Sequence, residues 1–532
     1  MCRFLCLVVL FIGFSFAQSY IDLTVDTNRD GVVQKIQDDV DEDLWSKKRG
    51  AIFFYNNDSD ENNHSPDCLD DKINGEKDLL DLTEIQLQSD GKNKVTLYID
   101  ANSQTKINLF VKSGSDYQKI SSFPYTLAAN VAKNCEMRIE ATSYADAMWN
   151  GVVTVTAEID STEVRDVVAL KVAPFILLAN TQEVDTIYIR AYPGKNDTMI
   201  QQLRTIASKS SVEIKIIPAN LYPYYQIWMQ DTMEIGYSEG PGHWFHVVLP
   251  ANRNRPLDNW SRDYMLGKDF GWFRYSQYRH QFARGGGENG WLDWYGNLEV
   301  SPPLPGYPFG RIYYGGNGTY SLNPEIVDML DRQNVQRPLV KLDTGWLLIK
   351  HVDEILSFVP TQSGEKTFKV LVPSTQLTID LLKKWQKEGK GNTKILERNK
   401  KNWTINSLLK NTRLIEKNVR LQSRINNLYK SIKKEFFVDE DDFIYIPALV
   451  ENGESIIPNM VNSVFVNGHL LMANPNGPIV DDKDLIQEYV RHSLGKIPVH
   501  FLDDWKYHTW AGNVHCATNT VRKKLSQNWW ND

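Results

Sequence analysis

Cysteine is scarce in this chain, with five residues in 532. Cys2 and Cys6 fall in an N-terminal stretch that reads as a cleaved leader, so Cys68, Cys135 and Cys516 remain. Three thiols cannot staple a fold of this size, and in an exported chain at least one stays unpaired. Cys68 and Cys135 either bridge or stand as buried free thiols; the sequence does not choose. A long apolar run is also missing. The stretch from Phe4 to Phe14 is too short to span a membrane and nothing later is apolar enough, so no membrane span is expected. Basic excess is absent: 59 Lys and Arg stand against 66 Asp and Glu, a net charge of −7. The whole chain therefore carries no footprint for nucleic acid, while its acidic clusters favour a cationic partner. No internal repeat of solenoid length is present. Arg284-Gly-Gly-Gly287 lacks the Lys-Ser/Thr of a phosphate loop and reads as a flexible connection or lid.

What is present points to a large, exported, two-part protein. Hydrophobic residues make up 42% and aromatics 11%, enough for large cores and two or more domains. Met1-Cys2-Arg3, a short apolar run and Ser15-Phe16-Ala17 describe a secretory signal peptide cleaved after Ala17. An uncleaved signal anchor is the alternative. Six glycosylation sequons, at Asn57, Asn63, Asn196, Asn259, Asn317 and Asn402, agree with export but decide little.

From Tyr20 to about Leu170 the pattern favours short strands, as in Val95–Ile99, Lys106–Val111 and Val152–Ile159. That spacing suits a β-sandwich. Acidic loops are spliced into it, one from Asp26 to Gly31 and one from Asn56 to Asp81. From about Pro174 strand-like segments (Val212–Ile217, Trp244–Leu249, Leu339–Ile349, Phe368–Val372) alternate with helical ones (Asp197–Ser208, Ile379–Glu388, Lys483–His492), an α/β pattern. A Lys/Asn-rich stretch from Lys383 to Lys434 interrupts it. It reads as a solvated helical hairpin, with a polyanion-binding patch as the alternative.

The chemistry-bearing residues lie in that second half. Cys516, in Gly512-Asn-Val-His-Cys-Ala-Thr-Asn519, is a candidate nucleophile; standing alone it could equally be a small buried hydrophobe. His351-Val-Asp353 follows the apolar run Trp346–Ile349, which places it at the end of a buried strand, with His351 and Asp353 on one face. In Trp228-Met-Gln-Asp-Thr-Met-Glu-Ile-Gly-Tyr237 an extended chain puts Asp231 on one side and Gln230, Thr232 and Glu234 on the other. Gln230 and Glu234 are then oxygen ligands for a hard cation. A thiol, an imidazole and two carboxylates suit a guanidinium, whose N–H pairs two carboxylates grip at opposite edges while the central carbon stays open to sulfur. The same two carboxylates would repel the oxyanion of a protease intermediate, which argues against a cysteine protease.

These segments, with Gly296-Asn-Leu-Glu-Val-Ser-Pro-Pro303, His351-Val-Asp-Glu-Ile-Leu-Ser-Phe-Val-Pro360 and Pro458-Asn-Met-Val-Asn462, resemble the peptidylarginine deiminases, in the family's order from about residue 174 to the C-terminus. The likeness extends more weakly to Arg49-Gly-Ala-Ile52, Asn56 and the acidic run to Asp81. It implies a five-fold pseudosymmetric α/β propeller of the guanidino-modifying superfamily over 173–532, preceded by an immunoglobulin-like, calcium-binding domain over 18–172. It implies calcium-dependent conversion of peptidyl-arginine to citrulline on protein or peptide substrates. Matched position by position, Cys516 would be the nucleophile, His351 the acid–base, and Asp231 and Asp353 the guanidinium ligands. Trp228 would line the slot and Arg255 would hold the substrate backbone, with Arg253 as accessory. Gln230, Glu234 and Glu299 with the carbonyls of Tyr295 and Leu298 match one calcium site. Asn56, Asp58, Asp60, Asp67, Asp70, Asp78, Asp81 and Asp269 match an outer cluster whose plain reading is a solvated acidic loop.

The chain also departs from the family. Thr232, Pro250 and Ala251 stand where a second calcium site in the catalytic domain has acids, so that site is expected to be lost or weakened. Lys350 replaces a glycine beside His351 and is expected to lower the pKa of Cys516 or His351. Trp510 and Ala511 replace a polar, basic pair, so flanking specificity is expected to differ. The vertebrate enzymes of the family carry a further N-terminal domain, and no counterpart of it is expected here. A deiminase for free arginine or agmatine on the same fold, and a non-catalytic calcium-binding module, are the competing readings. Oligomeric state, a homo-oligomer included, is left open.

Overall fold

The computed structural model describes residues 19–61, 64–253, 255–275, 287–361, 366–399 and 401–531. The leader, Asn63 and Arg284 to Gly286 lie outside them. Two compact units emerge. The first comprises residues 1–53, 82–140 and 152–171, and the second 54–81, 141–151 and 172–532. The acidic run up to Asp81 therefore packs with the second unit, although it is spliced into the chain of the first.

The first unit is all-β. Its two five-stranded sheets follow the alternation of apolar and polar residues seen in Val152–Ile159, where every second side chain is buried. One sheet contains Ile21–Thr24, Thr83–Ser89, Asn134–Ala141, Ile107–Ser113 and Asp116–Lys119 in that order. In the other, Val95–Ile99 and Arg165–Val172 flank Val152–Ile159, both antiparallel to it.

The second unit is mixed α/β and repeats one device five times. Each time an antiparallel strand pair is extended by a third strand, parallel to its neighbour and reached through a helical crossover. Met233–Gly240 pairs with His243–Pro250, which runs parallel to Phe270–Trp272. The same pattern links Leu298–Val300, Ile312–Gly316 and Val340–Asp343. It recurs in Ser357–Pro360, Phe368–Ser374 and Phe443–Pro447, and in Val464–Val466, His469–Ala473 and Val499–Leu502. The fifth sheet joins distant parts of the chain: Val184–Arg190 is parallel to Glu213–Ile217 and antiparallel to Thr518–Arg522. The sequence carries no repeat because the crossovers differ so much in length and composition.

The crossover helices form where their sequences cap and bury them. Helix Asp197–Lys209 turns Met199, Ile200, Leu203, Ile206 and Ala207 inward, a stripe at helical spacing. Asp484 caps Leu485–Leu494 by accepting from the N–H groups of Ile486 and Gln487 at 2.8 and 3.1 Å. The Lys/Asn-rich stretch is helical, as Ile405–Lys410 and the 25-residue helix Thr412–Phe436. It is not a solvated hairpin, however. Ile425, Leu428, Ile432 and Phe436 pack into a core with Val352, Phe358 and Val370, and the lysines point outward.

Candidate active site

Five turns meet at one place, each ending just before the first strand of an antiparallel pair. Asp231 lies two residues before Met233–Gly240, and Gly296 two before Leu298–Val300. His351 and Asp353 precede Ser357–Pro360. Asn462 comes two residues before Val464–Val466, and Cys516 two before Thr518–Arg522. Asp231 is not in extended chain, and of the His351–Asp353 pair only His351 is. Gln230–Thr232 and Val352–Glu354 are 3₁₀ turns. Trp346 to Ile349 forms no strand, because the parallel strand before it ends at Asp343. The turns nonetheless part the side chains as two faces of a strand would. Asp231 borders a cleft of about 480 Å³, while Gln230 and Glu234 border a separate small void.

The thiol, the imidazole and the Asp231 carboxylate border the cleft, and the Asp353 carboxylate lies against the sulfur. The Cys516 thiol donates to Asp353 Oδ2 at 3.3 Å, and Asn462 Nδ2 donates to the sulfur at 3.1 Å. The Cys516 N–H in turn donates to Asn462 Oδ1 at 3.2 Å. His351 Nε2 lies 2.7 Å from the carbonyl oxygen of Trp291. A carbonyl only accepts, so Nε2 carries the proton and Nδ1 is the atom left to the site. Nδ1 faces Asp231 Oδ1 at 3.5 Å. Asp231 Oδ1 and Asp353 Oδ1 are buried with no hydrogen-bond donor, which is costly unless a donor-rich ligand completes them.

Glycines make this proximity possible. A Cβ on Gly296 would lie 2.5 Å from His351 Nδ1, 2.8 Å from Asp231 Oδ1 and 3.1 Å from Asp353 Oδ2. A Cβ on Gly512 would lie 2.4 Å from Cζ3 of Trp228, whose ring walls the slot. Asn297 ties the turns together, accepting from Gly315 N at 2.9 Å and Val352 N at 3.2 Å. Tyr224, Tyr225, Trp294 and Trp510 line the mouth, with Arg253 and Arg255 among them. Arg255 lies over Trp294 at 5.2 Å.

Burial, then Asp353 and Asp231, hold the Cys516 thiol well above its ordinary range. The lowering expected of Cys516 from Lys350 is not found. Its ammonium donates to the carbonyl of Leu348 at 3.0 Å, and the two carboxylates govern the sulfur. Burial also raises Asp231, against the pull of His351.

Behind the floor lies a void of about 20 Å³ bordered by Gln230, Glu234, Glu299, His515 and Arg522. Gln230 Nε2 donates to Glu234 Oε2 at 3.0 Å and contacts the Tyr295 carbonyl at 3.4 Å. Leu298 opens the buried strand that carries Glu299. Burial and Glu299 push Glu234 well up, and burial pushes Glu299 to about 7, with His515 opposing. His515 links the two places: Nε2 lies 3.2 Å from Glu299 Oε1 and Nδ1 lies 3.0 Å from Asp353 Oδ2.

The outer acids also converge. Asp58, Asp60 and Asp81 offer oxygens within 4.8 Å of one another. Asp58 Oδ1, Asp67 Oδ1 and both Asp60 oxygens are buried without hydrogen-bond partners. Asn56 Nδ2 donates to Asp78 at 2.9 Å, and the Asp269 N–H donates to Asp58 at 3.0 Å. Asp70 is turned to Lys72 and Asn74. Burial raises Asp67 to about 7, and burial with Asp81 drives Asp58 well up. Oxygen donors that oppose one another's charge are what a hard divalent cation compensates, so both sets fit calcium.

Asn462, His515, Gly296 and Asn297 had been visible only as parts of longer motifs, without roles. Their common signal is position, since all four lie within three residues of a strand start. Cys68 and Cys135 are both buried, and no disulfide joins them. Of the sequons, Asn57 and Asn196 are fully buried.

Comparison with known proteins settles the family. Residues 162–531 match the protein-arginine deiminase (PAD) model, and residues 20–159 match the protein-arginine deiminase (PAD) middle domain. The chain belongs to the protein-arginine deiminase family. It is 31% identical to the human protein-arginine deiminase type-4 and 30% to the mouse type-4, covering 96% of this chain and 82% of each relative. The human type-1 enzyme of the family is 30% identical over the same shares. Among solved structures, an agmatine deiminase from C. jejuni matches 66% of this chain and 97% of its own, at 11% identity and a TM-score of 0.38.

Proposed function

We propose that the protein hydrolyses the guanidinium of arginine residues in peptides and proteins to the urea of citrulline, releasing ammonia. The observation that carries this is the pair of donor-less buried oxygens, Asp231 Oδ1 and Asp353 Oδ1, beside a thiol and an imidazole. A guanidinium supplies the missing N–H groups in a plane. Its charge also offsets the two carboxylates that hold the thiol protonated.

The sulfur then attacks the central carbon, and its proton passes to His351 Nδ1, whose Nε2 is committed to Trp291. His351 returns that proton to one nitrogen, which leaves as ammonia, and an amidino-thioether remains on Cys516. Water adds to this carbon while His351 takes a proton. The carbon–sulfur bond breaks to the urea, the proton left on the added oxygen passes to the sulfur, and His351 gives its own proton to solvent, where ammonia takes it up as ammonium. Asn462 keeps the sulfur in place through both halves. Arg255 reads the peptide backbone beside the target side chain, and Trp228 packs against its methylenes.

Gln230, Glu234, Glu299 and the Tyr295 and Leu298 carbonyls would hold one calcium ion, and the Asn56 to Asp81 set with Asp269 others. Bound there, calcium supplies charge compensation and fixed geometry. The orientation of Glu299 reaches Asp353 through His515.

Three further points belong to this reading. The five sheets close into a five-fold propeller around the cleft; the pairing of Val184–Arg190 with Thr518–Arg522 and the five convergent turns support it. The first unit is immunoglobulin-like. The protein is exported after cleavage near Ala17, and N-terminal sequencing of the mature native protein that returns Met1 or Cys2 would overturn this. Among the described residues no helix is long and apolar enough to cross a membrane.

The test is ammonia release from a capped arginine peptide and from free arginine, with calcium or with chelator. Peptide turnover that needs calcium and is lost in Cys516→Ser is expected. Full activity in Cys516→Ser would overturn the mechanism. Peptide turnover untouched in Arg255→Ala would favour the free-amidine reading.

A further inference from the structure

Two arginines share one wall of the cleft, and a single carboxylate seats both. Arg253 and Arg255 lie over the Trp294 ring at 5.3 and 5.2 Å. Like charges so placed need a fixed counterweight. Asp258 provides it from a buried position, 3% exposed. Its Oδ1 accepts from Arg253 Nε at 2.8 Å. Its Oδ2 accepts from the backbone N–H groups of Arg253 at 3.1 Å and Arg255 at 2.9 Å.

The far end of Arg253 reaches the catalytic turn. Nη2 donates to Thr232 Oγ1 at 2.8 Å, and that hydroxyl donates to the Trp228 carbonyl at 2.7 Å. Thr232 is the neighbour of Asp231, and the N–H of Ala251 donates to its carbonyl at 2.8 Å. Asp258, Arg253 and Thr232 thus form a strut between Arg255 and the turn that carries Asp231 and Trp228. A carboxylate alone fits this post. Three donors from two residues converge on it, and an amide would turn an NH₂ toward one of them.

We propose that Asp258 is a positioning residue for peptide recognition, setting where Arg255 stands relative to Asp231 through the Arg253–Thr232 strut. This rests on the proposed deiminase reading. It predicts that the strut governs recognition of the peptide backbone and leaves the thiol, the imidazole and the guanidinium clamp largely alone.

The test compares Asp258→Asn with wild type in two measurements. One is KM and kcat for a capped arginine peptide at saturating calcium. The other is the rate at which chloroacetamidine, a flat amidinium cation with no backbone, alkylates Cys516. A lost charge-assisted hydrogen bond in a buried site is expected to raise peptide KM about tenfold or more, with kcat and alkylation within about threefold. Thr232→Val removes one bond of the strut and is expected to raise KM about threefold; it carries the test if Asp258→Asn does not fold. Unchanged peptide KM, or peptide KM and alkylation impaired together, would overturn the inference. Peptide affinity in a Cys516→Ala background, by calorimetry with and without Asp258→Asn, needs no turnover. An unaltered affinity there sinks the strut, whereas a wild type that forms no citrulline sinks the deiminase reading instead.

Discussion

Gly296→Ala is the sharpest perturbation of the site, because one added carbon reaches three working groups at once. The new Cβ would lie 2.5 Å from His351 Nδ1, 2.8 Å from Asp231 Oδ1 and 3.1 Å from Asp353 Oδ2, where 3.4 Å is the start of ordinary contact. Relief demands retreats of about 0.9, 0.6 and 0.3 Å. All three groups are buried, His351 is held from its far side by the Trp291 carbonyl, and Asp353 Oδ2 is already engaged by His515 and Cys516. The φ of Gly296 is not in the left-handed region, so alanine brings no backbone strain and the effect is the clash itself. Misplacing reacting groups by about 1 Å costs on the order of a hundredfold, or about 2.7 kcal/mol of transition-state stabilisation. Overpacking lowers stability by roughly 1–3 kcal/mol, which a domain of this size survives. Citrulline formation from a capped arginine peptide at saturating calcium should fall about a hundredfold in kcat/KM, with a cooperative melt retained. A folded variant within about threefold of wild type would refute the claim that these three atoms must stand where they do.

Gly512→Ala pushes against the ring of Trp228 at 2.4 Å. It should narrow the slot and raise peptide KM more than it lowers kcat, and equal losses in both would contradict the slot. The carboxylates of the proposed calcium sets make stability pH-dependent in chelator. Burial raises Asp67 from 3.8 to about 7, so the folded state holds a proton that the unfolded chain has lost. That contribution is present below about pH 4 and lost as pH rises through about 7. The melting temperature in chelator should therefore fall between about pH 4 and about pH 7, and calcium should abolish the fall while releasing protons. A rising melting temperature in chelator would show that these carboxylates are not held up.

Much of the site was legible because its chemistry is rare. Few residue sets combine a lone thiol, a His-x-Asp and carboxylates flanked by amide oxygens, and the acidic run needs only composition to be noticed. Local conformation was less legible. Period-2 spacing put His351 and Asp353 on a strand, yet an extended residue followed by a 3₁₀ turn can also bring both side chains to one site, and sequence spacing does not separate the cases. Asn462 and His515 were invisible as functional groups because each acts across the fold. Asn462 meets a sulfur 54 positions away, and His515 meets Asp353 162 positions away. The five-fold recurrence of the strand device also escaped a search for repeats. It is kept in hydrogen-bond pattern, and its crossovers range from the short turns before Phe270 to the long helix Thr412–Phe436. The lysines of that helix suggested a solvated element, but its apolar stripe decides the packing.

One imidazole, that of His515, touches both the ion cage and the guanidinium clamp. Linkage between two such stations runs both ways: whatever free energy an ion lends to holding arginine, bound arginine must lend to holding the ion. With calcium held there as proposed, its concentration for half-maximal rate is not a constant of the enzyme alone. Measured with scarce peptide it should read high, and measured with abundant peptide it should read low, so the protein would awaken first wherever its substrate is most crowded.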